Sequence, residues 1–259
     1  LGLEAAVGGE DASRADPAFL EAVLDVARRA GARRFRIADT LGVLDPFTAR
    51  DLTARLRART DLELEIHAHD DLGMATANSL GAVLGGATHV SSTVNGLGER
   101  AGNAPLEELA VALHHLHGRD TGVVSRALPA VSALVAEASG RPVGPGKSIV
   151  GSGVFTHESG IHVAGLLRDP ANYQAVDPAT LGRAHELVLG KHSGLAGLRH
   201  ACQGLGLKLG EDEGPALLAR VRRHAATAKR PPTAAELRSY HREVAGRVHP
   251  ARDDRHPPA

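Results

Sequence analysis

The chain has 259 residues, 42% of them hydrophobic, which is enough for one large domain or for a domain with a smaller subdomain. Its 30 acidic side chains balance 30 basic ones and only 2% of residues are aromatic, so we expect no nucleic-acid partner. No apolar run is long enough to span a membrane, and the single cysteine, Cys202, excludes an internal disulfide, so we predict a cytoplasmic protein without a membrane partner.

Residues 1–118 alternate between strand and helix patterns. The predicted strands are Leu3–Val7, Phe35–Asp39, Leu62–His67 and His89–Val94; the predicted helices begin after Asp16, Asp45, Met74 and Asn103, the last residue serving as a cap. Strands that alternate with helices predict a parallel sheet in an α/β fold. The candidate site residues Glu10, Thr40, His67 and His69 lie at or after the ends of predicted strands, where a (β/α)8 TIM barrel has its active site. Four strand–helix units amount to half of such a barrel.

The remainder of the chain has a different pattern. We predict a connector over 119–150, a mainly α-helical C-terminal subdomain over 151–250 and a disordered tail over 251–259. Thr233 and Glu236 have the spacing of a capping box, and Cys202 lies in an apolar helical stripe, which predicts a core position.

Two histidines lie on one face at the end of the third strand. His67 and His69 are alternate residues, and two imidazoles so placed can bind one cation in neighbouring coordination positions. The alternative is two polar residues where a strand enters a loop.

Three segments resemble one enzyme family. The run Thr93–Asn103 contains a Gly-x-Gly-Glu-Arg-x-Gly motif, and Ile149–His162 and Leu187–Gly194 are similar to a subdomain that follows the barrel. The family comprises acyltransferases that condense acetyl-CoA with 2-oxo acids: homocitrate, 2-isopropylmalate and citramalate synthases. The resemblance implies that the four units are the second half of the barrel. The family's opening Asp-Arg-Glu motif has no counterpart here, so we expect a fragment or one half of a split enzyme.

The resemblance also implies a divalent metal cation, Mg²⁺, Mn²⁺ or Zn²⁺, as cofactor and acetyl-CoA as co-substrate. It makes His67 and His69 metal ligands. Asn103 is a weaker ligand or supports one, although a helix N-cap is an equally good reading. Asp71 either supports the metal site or is a plain loop carboxylate.

The remaining implied roles concern substrates. Glu10 and His162 resemble an acid/base pair around the acetyl-CoA methyl group, and Tyr173 resembles a residue that assists them. Thr40 resembles the hydroxyl that holds the substrate carboxylate. Gly96 and Gly98 would let a loop approach the substrate closely. Each has a structural alternative. His162 could be a helical histidine, Tyr173 a packing residue and Thr40 part of a turn, while Glu99 and Arg100 could form a loop-stabilising ion pair.

Segments 10–16, 67–71 and 182–194 look most like homocitrate synthase of the nitrogen-fixation type, which implies 2-oxoglutarate as the 2-oxo acid. The alternatives are 2-isopropylmalate or citramalate synthase, with related lyases third. A hypothesis of another class is a degenerate half barrel that binds a ligand or partner without turnover. In this family the subdomain reaches over the neighbouring barrel, so we expect a homodimer in which His162 of one chain serves Glu10 of the other.

Overall fold

The structure is a computed structural model that describes residues 3–248. The chain forms two compact units, the first ending at Val154 and the second beginning at Phe155. Residues 119–150, predicted as a separate connector, therefore belong to the first unit. The predicted disordered tail, 251–259, lies outside the described residues.

The first unit contains a four-stranded parallel sheet whose strands pair in chain order. The strands are β1 (Ala6–Gly9), β2 (Arg34–Asp39), β3 (Glu63–Ala68) and β4 (His89–Ser91); the helices are α1 (Pro17–Arg29), α2 (Pro46–Arg57), α3 (Ala75–Leu84), α4 (Leu106–His117) and α5 (Leu128–Ser139). The predicted alternation and the parallel sheet are confirmed.

Helix starts follow local capping chemistry. The Asp16 carboxylate accepts hydrogen bonds from two amides of α1, and Asp45 forms a capping box with Thr48 at the start of α2. The predicted cap of the fourth helix is wrong: α4 begins after Pro105, and Asn103 instead forms an isolated β-bridge with His69. Pro105 takes the position before the first helical residue, and no side chain caps α4, so the Asn103 side chain has a different role.

The strand boundaries differ from prediction by one to three residues. β1 begins at Ala6 and extends through Gly8 and Gly9, which pair with Arg36 and Ile37 of β2. β2 begins one residue earlier than predicted, and β3 is shifted by one residue, to Glu63–Ala68. β4 ends at Ser91, short of the predicted Val94, and the chain passes into a short 3-10 turn.

The sheet has two chemically distinct faces. Apolar side chains of β2 and β3, all buried, form the core with the helices: Phe35, Ile37, Leu64 and Ile66. The opposite face carries ion pairs, in which Arg34 lies 3.0 Å from both Glu63 and Glu65. In a barrel this second face is the interior, and His67 belongs to it by strand alternation.

The second unit is mainly helical, as predicted. It contains β5 (Thr156–His157) and β6 (Glu186–Leu187), which pair in parallel, and α6 (Gly160–Arg168), α7 (Leu195–Gly204), α8 (Glu213–Ala228) and α9 (Ala234–Val248). Cys202 is buried in the core of this unit, as predicted, and burial raises the pKa of its thiol. The predicted capping box of Thr233 and Glu236 is also present. Among the described residues, no helix has the length and apolar composition that a bilayer span requires.

Candidate active site

The histidine pair lies where β3 ends. The Nε2 atoms of His67 and His69 are 3.2 Å apart, and the two rings are nearly perpendicular, at 84°. Two nitrogens that each bind one metal ion at about 2.1 Å lie roughly 3.0–3.4 Å apart for bond angles between square and tetrahedral. Burial, followed by the charges of His69 and Arg36, lowers the pKa of His67, which favours the neutral ring that a metal requires.

Three buried polar atoms around this pair are unsatisfied. The Nδ1 atoms of both histidines and Oδ1 of Asn103 find no hydrogen-bond partner within the part of the chain that the structure describes. The Asn103 amide group is held by donation from Nδ2 to the Leu97 carbonyl at 3.0 Å. Its oxygen is thereby oriented but unused, which suits a ligand role.

The loop after β4 is folded tightly around Asn103. A Cβ atom at Gly98 would lie 3.0 Å from Asn103 Cγ, and one at Gly96 would lie 3.1 Å from the Asn103 carbonyl oxygen. Gly96 also has a φ of 72°, a conformation that favours glycine. These contacts give both glycines an intramolecular reason to lack a side chain, while their approach to substrate stays a prediction.

Glu10 and Thr40 meet at the ends of β1 and β2. The Thr40 hydroxyl donates to the Glu10 carboxylate at 3.2 Å and accepts from the Asp11 amide at 2.8 Å, and Arg36 lies 3.5 Å from Glu10. Thr40 also lies in the turn that was expected after β2, in which the Gly42 amide donates to the Asp39 carbonyl at 3.0 Å and the buried Asp39 carboxylate accepts from two loop amides. The Thr40 hydroxyl is thus placed beside the predicted acid/base carboxylate.

Arg100, in the loop after β4, forms hydrogen bonds with the loops that follow β2 and β3. Its guanidinium donates to both carboxylate oxygens of Asp71, at 2.8 and 2.9 Å, and to the Thr40 carbonyl at 2.6 Å. The predicted ion pair with Glu99 is longer, at 3.9 Å. The hydrogen bond from Arg100 lowers the pKa of Asp71, so this carboxylate stays charged. Asp71 therefore positions a loop beside the histidine pair.

The residues present fit a divalent cation in part. Within residues 3–248 no group of three or more His, Cys, Asp or Glu side chains has the arrangement of a metal site. The fit rests on two nitrogens at the right separation and one oriented amide oxygen. A fuller ligand set would need a group beyond these three.

His162 and Tyr173 lie together in the second unit. Their ring centroids are 4.4 Å apart and the ring planes are inclined by 31°. His162 is near the start of α6, and Tyr173 follows the short 3-10 turn Pro170–Asn172. The structure thus brings together two of the three residues that were assigned to acid/base chemistry.

A second histidine pair in this unit was not predicted. His157 Nε2 and His185 Nδ1 are 3.2 Å apart, and His185 Nε2 lies 2.9 Å from Oε1 of Gln174. Burial, then the charges of His185 and His162, lowers the pKa of His157. No periodicity could have paired residues 28 positions apart.

Arg36 was missed for a different reason. It neighbours Glu10 and acts electrostatically on His67, and its place on the polar face follows from strand alternation. The pairing of Arg36 with Glu65 on β3 required the sheet register, which no single strand contains.

Comparison with known families identifies the class. The HMGL-like family model matches residues 1–135, and the model described as homocitrate synthase post-HMGL domain-like matches residues 149–229. The chain belongs to the HMGL-like family, with the post-HMGL domain of homocitrate synthases following it. The four βα units are accordingly part of a TIM barrel, as predicted.

Several curated relatives are similar over most of the chain. A 2-isopropylmalate synthase of Caldanaerobacter subterraneus is 46% identical over 94% of this chain and 63% of its own length. Homocitrate synthases of Frankia alni and of a Nostoc species are 50% and 46% identical, covering 79% and 91% of this chain and 58% and 63% of their own lengths. The chain therefore spans about three fifths of these relatives, which are condensing acyltransferases of differing substrate.

Proposed function

We propose that this chain supplies part of the active site of a metal-dependent acyltransferase that condenses acetyl-CoA with 2-oxoglutarate to give homocitrate. The observation that carries the proposal is the 3.2 Å separation of His67 and His69 beside the unpartnered oxygen of Asn103, with Glu10 and Thr40 at the neighbouring strand ends. Carboxyl ends of barrel strands are where such catalytic groups act.

His67, His69 and Asn103 would hold the cation, Mg²⁺, Mn²⁺ or Zn²⁺. When bound, such an ion polarises a carbonyl and stabilises the alkoxide that forms. The Thr40 hydroxyl, which donates to Glu10 in this structure, would turn to the 2-oxo acid carboxylate. Gly96 and Gly98 would let their loop lie against that substrate.

Glu10 and His162 would move the proton of the acetyl-CoA methyl group. A carboxylate and an imidazole suit this task near neutral pH, and Tyr173 would steady the imidazole through their ring contact. We further propose a cytoplasmic homodimer with composite sites, in which His162 of one chain serves Glu10 of the other. Mixed dimers of His162→Ala and Glu10→Gln should then regain the activity that each variant lacks alone.

The choice of 2-oxoglutarate rests on segments 10–16, 67–71 and 182–194, which resemble homocitrate synthase of the nitrogen-fixation type. The homocitrate synthases among the relatives support it, and the 2-isopropylmalate synthase keeps a branched 2-oxo acid as the alternative.

A thiol-release assay tests the proposal. The chain is mixed with a polypeptide that carries the opening half of the Frankia alni barrel, and acetyl-CoA is offered with 2-oxoglutarate, pyruvate or 3-methyl-2-oxobutanoate. We expect release with 2-oxoglutarate, and none from the double variant His67→Ala/His69→Ala. Thiol release with only one of the other 2-oxo acids would contradict the choice of 2-oxoglutarate as substrate. A stable complex of the two polypeptides that releases no thiol would favour a non-catalytic half barrel.

A further inference from the structure

Gly165 occupies an unexpected place in α6. Glycine disfavours a helix interior, and the backbone gives no conformational reason for it, because Gly165 is absent from the residues with positive φ among those the structure describes. A steric reason is present instead. A Cβ built at Gly165 would lie 2.7 Å from Tyr173 Cδ2 and closer still to Cε2, well inside van der Waals contact.

The chain after α6 is built to bring the Tyr173 ring to this point. The Asp169 carboxylate accepts from the Ala171 amide, which forms the turn, and the Asn172 side chain donates to the Gly165 carbonyl at 3.2 Å. The Tyr173 amide then donates to the Pro170 carbonyl at 3.1 Å. These bonds fold the segment back, so that the phenol ring lies directly on the helix at Gly165.

His162 precedes Gly165 by three positions and so shares its face of the helix. The ring that covers Gly165 therefore also reaches the imidazole, with centroids 4.4 Å apart. A side chain at position 165 would overlap the phenol ring, so the ring would have to shift from its place beside His162 or the helix would have to move.

We propose that Gly165 is a positioning residue, whose missing side chain lets Tyr173 stack on His162 and so restricts the orientation of the imidazole. Its chemical meaning rests on the proposed function, in which His162 moves a proton. Gly165 itself touches no substrate in this proposal.

The experiment follows the His162 ring protons by NMR in the full 259-residue chain, with the signal assigned by its loss in His162→Gln. Tyr173→Leu defines the shift of an unstacked imidazole. We expect Gly165→Ala to give that same loss of the upfield ring-current shift. Gly204→Ala is the matched control, because this helical glycine has no described atom within 4 Å of a built Cβ, and it should keep the wild-type shift.

A second measurement distinguishes a local clash with Tyr173 from a general loss of stability in Gly165→Ala. If the clash with Tyr173 is the only destabilising effect of Gly165→Ala, the double variant Gly165→Ala/Tyr173→Ala has an unfolding midpoint equal to or above that of Tyr173→Ala alone, because alanine favours a helix interior over glycine. A wild-type His162 shift in Gly165→Ala, or a destabilisation that persists without Tyr173, overturns the inference. Neither readout depends on turnover, so either failure leaves the acyltransferase proposal untouched, and a failed thiol-release assay leaves the positioning role untouched.

Discussion

The two histidine pairs have the same separation and opposite surroundings. His67 and His69 approach to 3.2 Å, as do His157 and His185. In the second pair the hydrogen-bond chain ends on a protein acceptor, Gln174. In the first pair both Nδ1 atoms are buried without partners among the described residues.

The difference shows that ring separation alone does not identify a metal site. A neutral imidazole has one donor and one acceptor, so the chain from His157 through His185 to Gln174 is satisfied without an ion. The first pair and the nearby Asn103 oxygen retain unused polar atoms, which a buried site tolerates only for a reason. We infer that a cation would bind the two facing Nε2 atoms and the Asn103 oxygen, whereas the two Nδ1 atoms would still need acceptors that residues 3–248 do not supply.

The largest expected effect concerns metal affinity. His67→Ala and His69→Ala should each remove tight Zn²⁺ or Mn²⁺ binding, while His157→Ala and His185→Ala leave it unchanged. Isothermal titration of the chain combined with the polypeptide that carries the opening half of the barrel measures this. The chain has 15 histidines, so weak background binding is expected in every variant. Equal losses in the two sets of variants would show that the pairs are equivalent.

Asn103→Ala should have a smaller effect on the same titration. If the amide oxygen only supports the ligands, its loss weakens affinity by roughly 10–100-fold, as is typical of such groups. A loss as large as that of His69→Ala would make Asn103 a full ligand. Asn103→Asp keeps an oxygen at this position but loses the Nδ2 donation to the Leu97 carbonyl, so it should retain more binding than Asn103→Ala does.

The pairing of His67 with His69 could be predicted from sequence because it is local. Alternation along one strand places His67 and His69 on one face. The helix caps at Asp16 and Asp45 were likewise predicted from a local pattern, an aspartate directly before the first helical residue. Long-range partners could not be found in this way. The contact of Arg100 with Asp71 and the chain from His157 to Gln174 depend on how separate segments pack, which no residue spacing encodes.

The third prediction concerns the stability of the second unit, in which the histidine pair ends on Gln174. Gln174→Ala removes the acceptor of His185 and should destabilise the second unit by about 0.5–1.5 kcal/mol, the usual net value of one hydrogen bond. The exposed Gln203→Ala is the control and should cost less. Urea unfolding followed by tyrosine fluorescence reports this unit, because the chain has no tryptophan and both tyrosines, Tyr173 and Tyr240, belong to it.

The first pair should respond less. His69→Leu removes the buried Nδ1, which has no partner in residues 3–248, but also the 3.2 Å contact of its Nε2 with His67, so in chelator-treated protein it should cost less than Gln174→Ala does. Hydrogen exchange of the β3 amides measures it. Destabilisation comparable to that of Gln174→Ala would mean that the His69 ring is already satisfied, which would remove the contrast between the pairs.

The smallest expected effect is a pH dependence of the second unit. The folded-state pKa of His157 lies below its ordinary value of about 6.5, because the ring is partly buried and His185 and His162 add positive charge. The unfolded chain therefore binds more protons than the folded one as pH falls through about 6.5, and the free energy of unfolding should decrease there. His157→Gln removes this contribution and should flatten the dependence below about pH 6.5. The exposed His200→Gln should leave the slope unchanged. Urea midpoints from tyrosine fluorescence across this range decide the matter, and an unaltered slope in His157→Gln would show that this second pair titrates like exposed histidine.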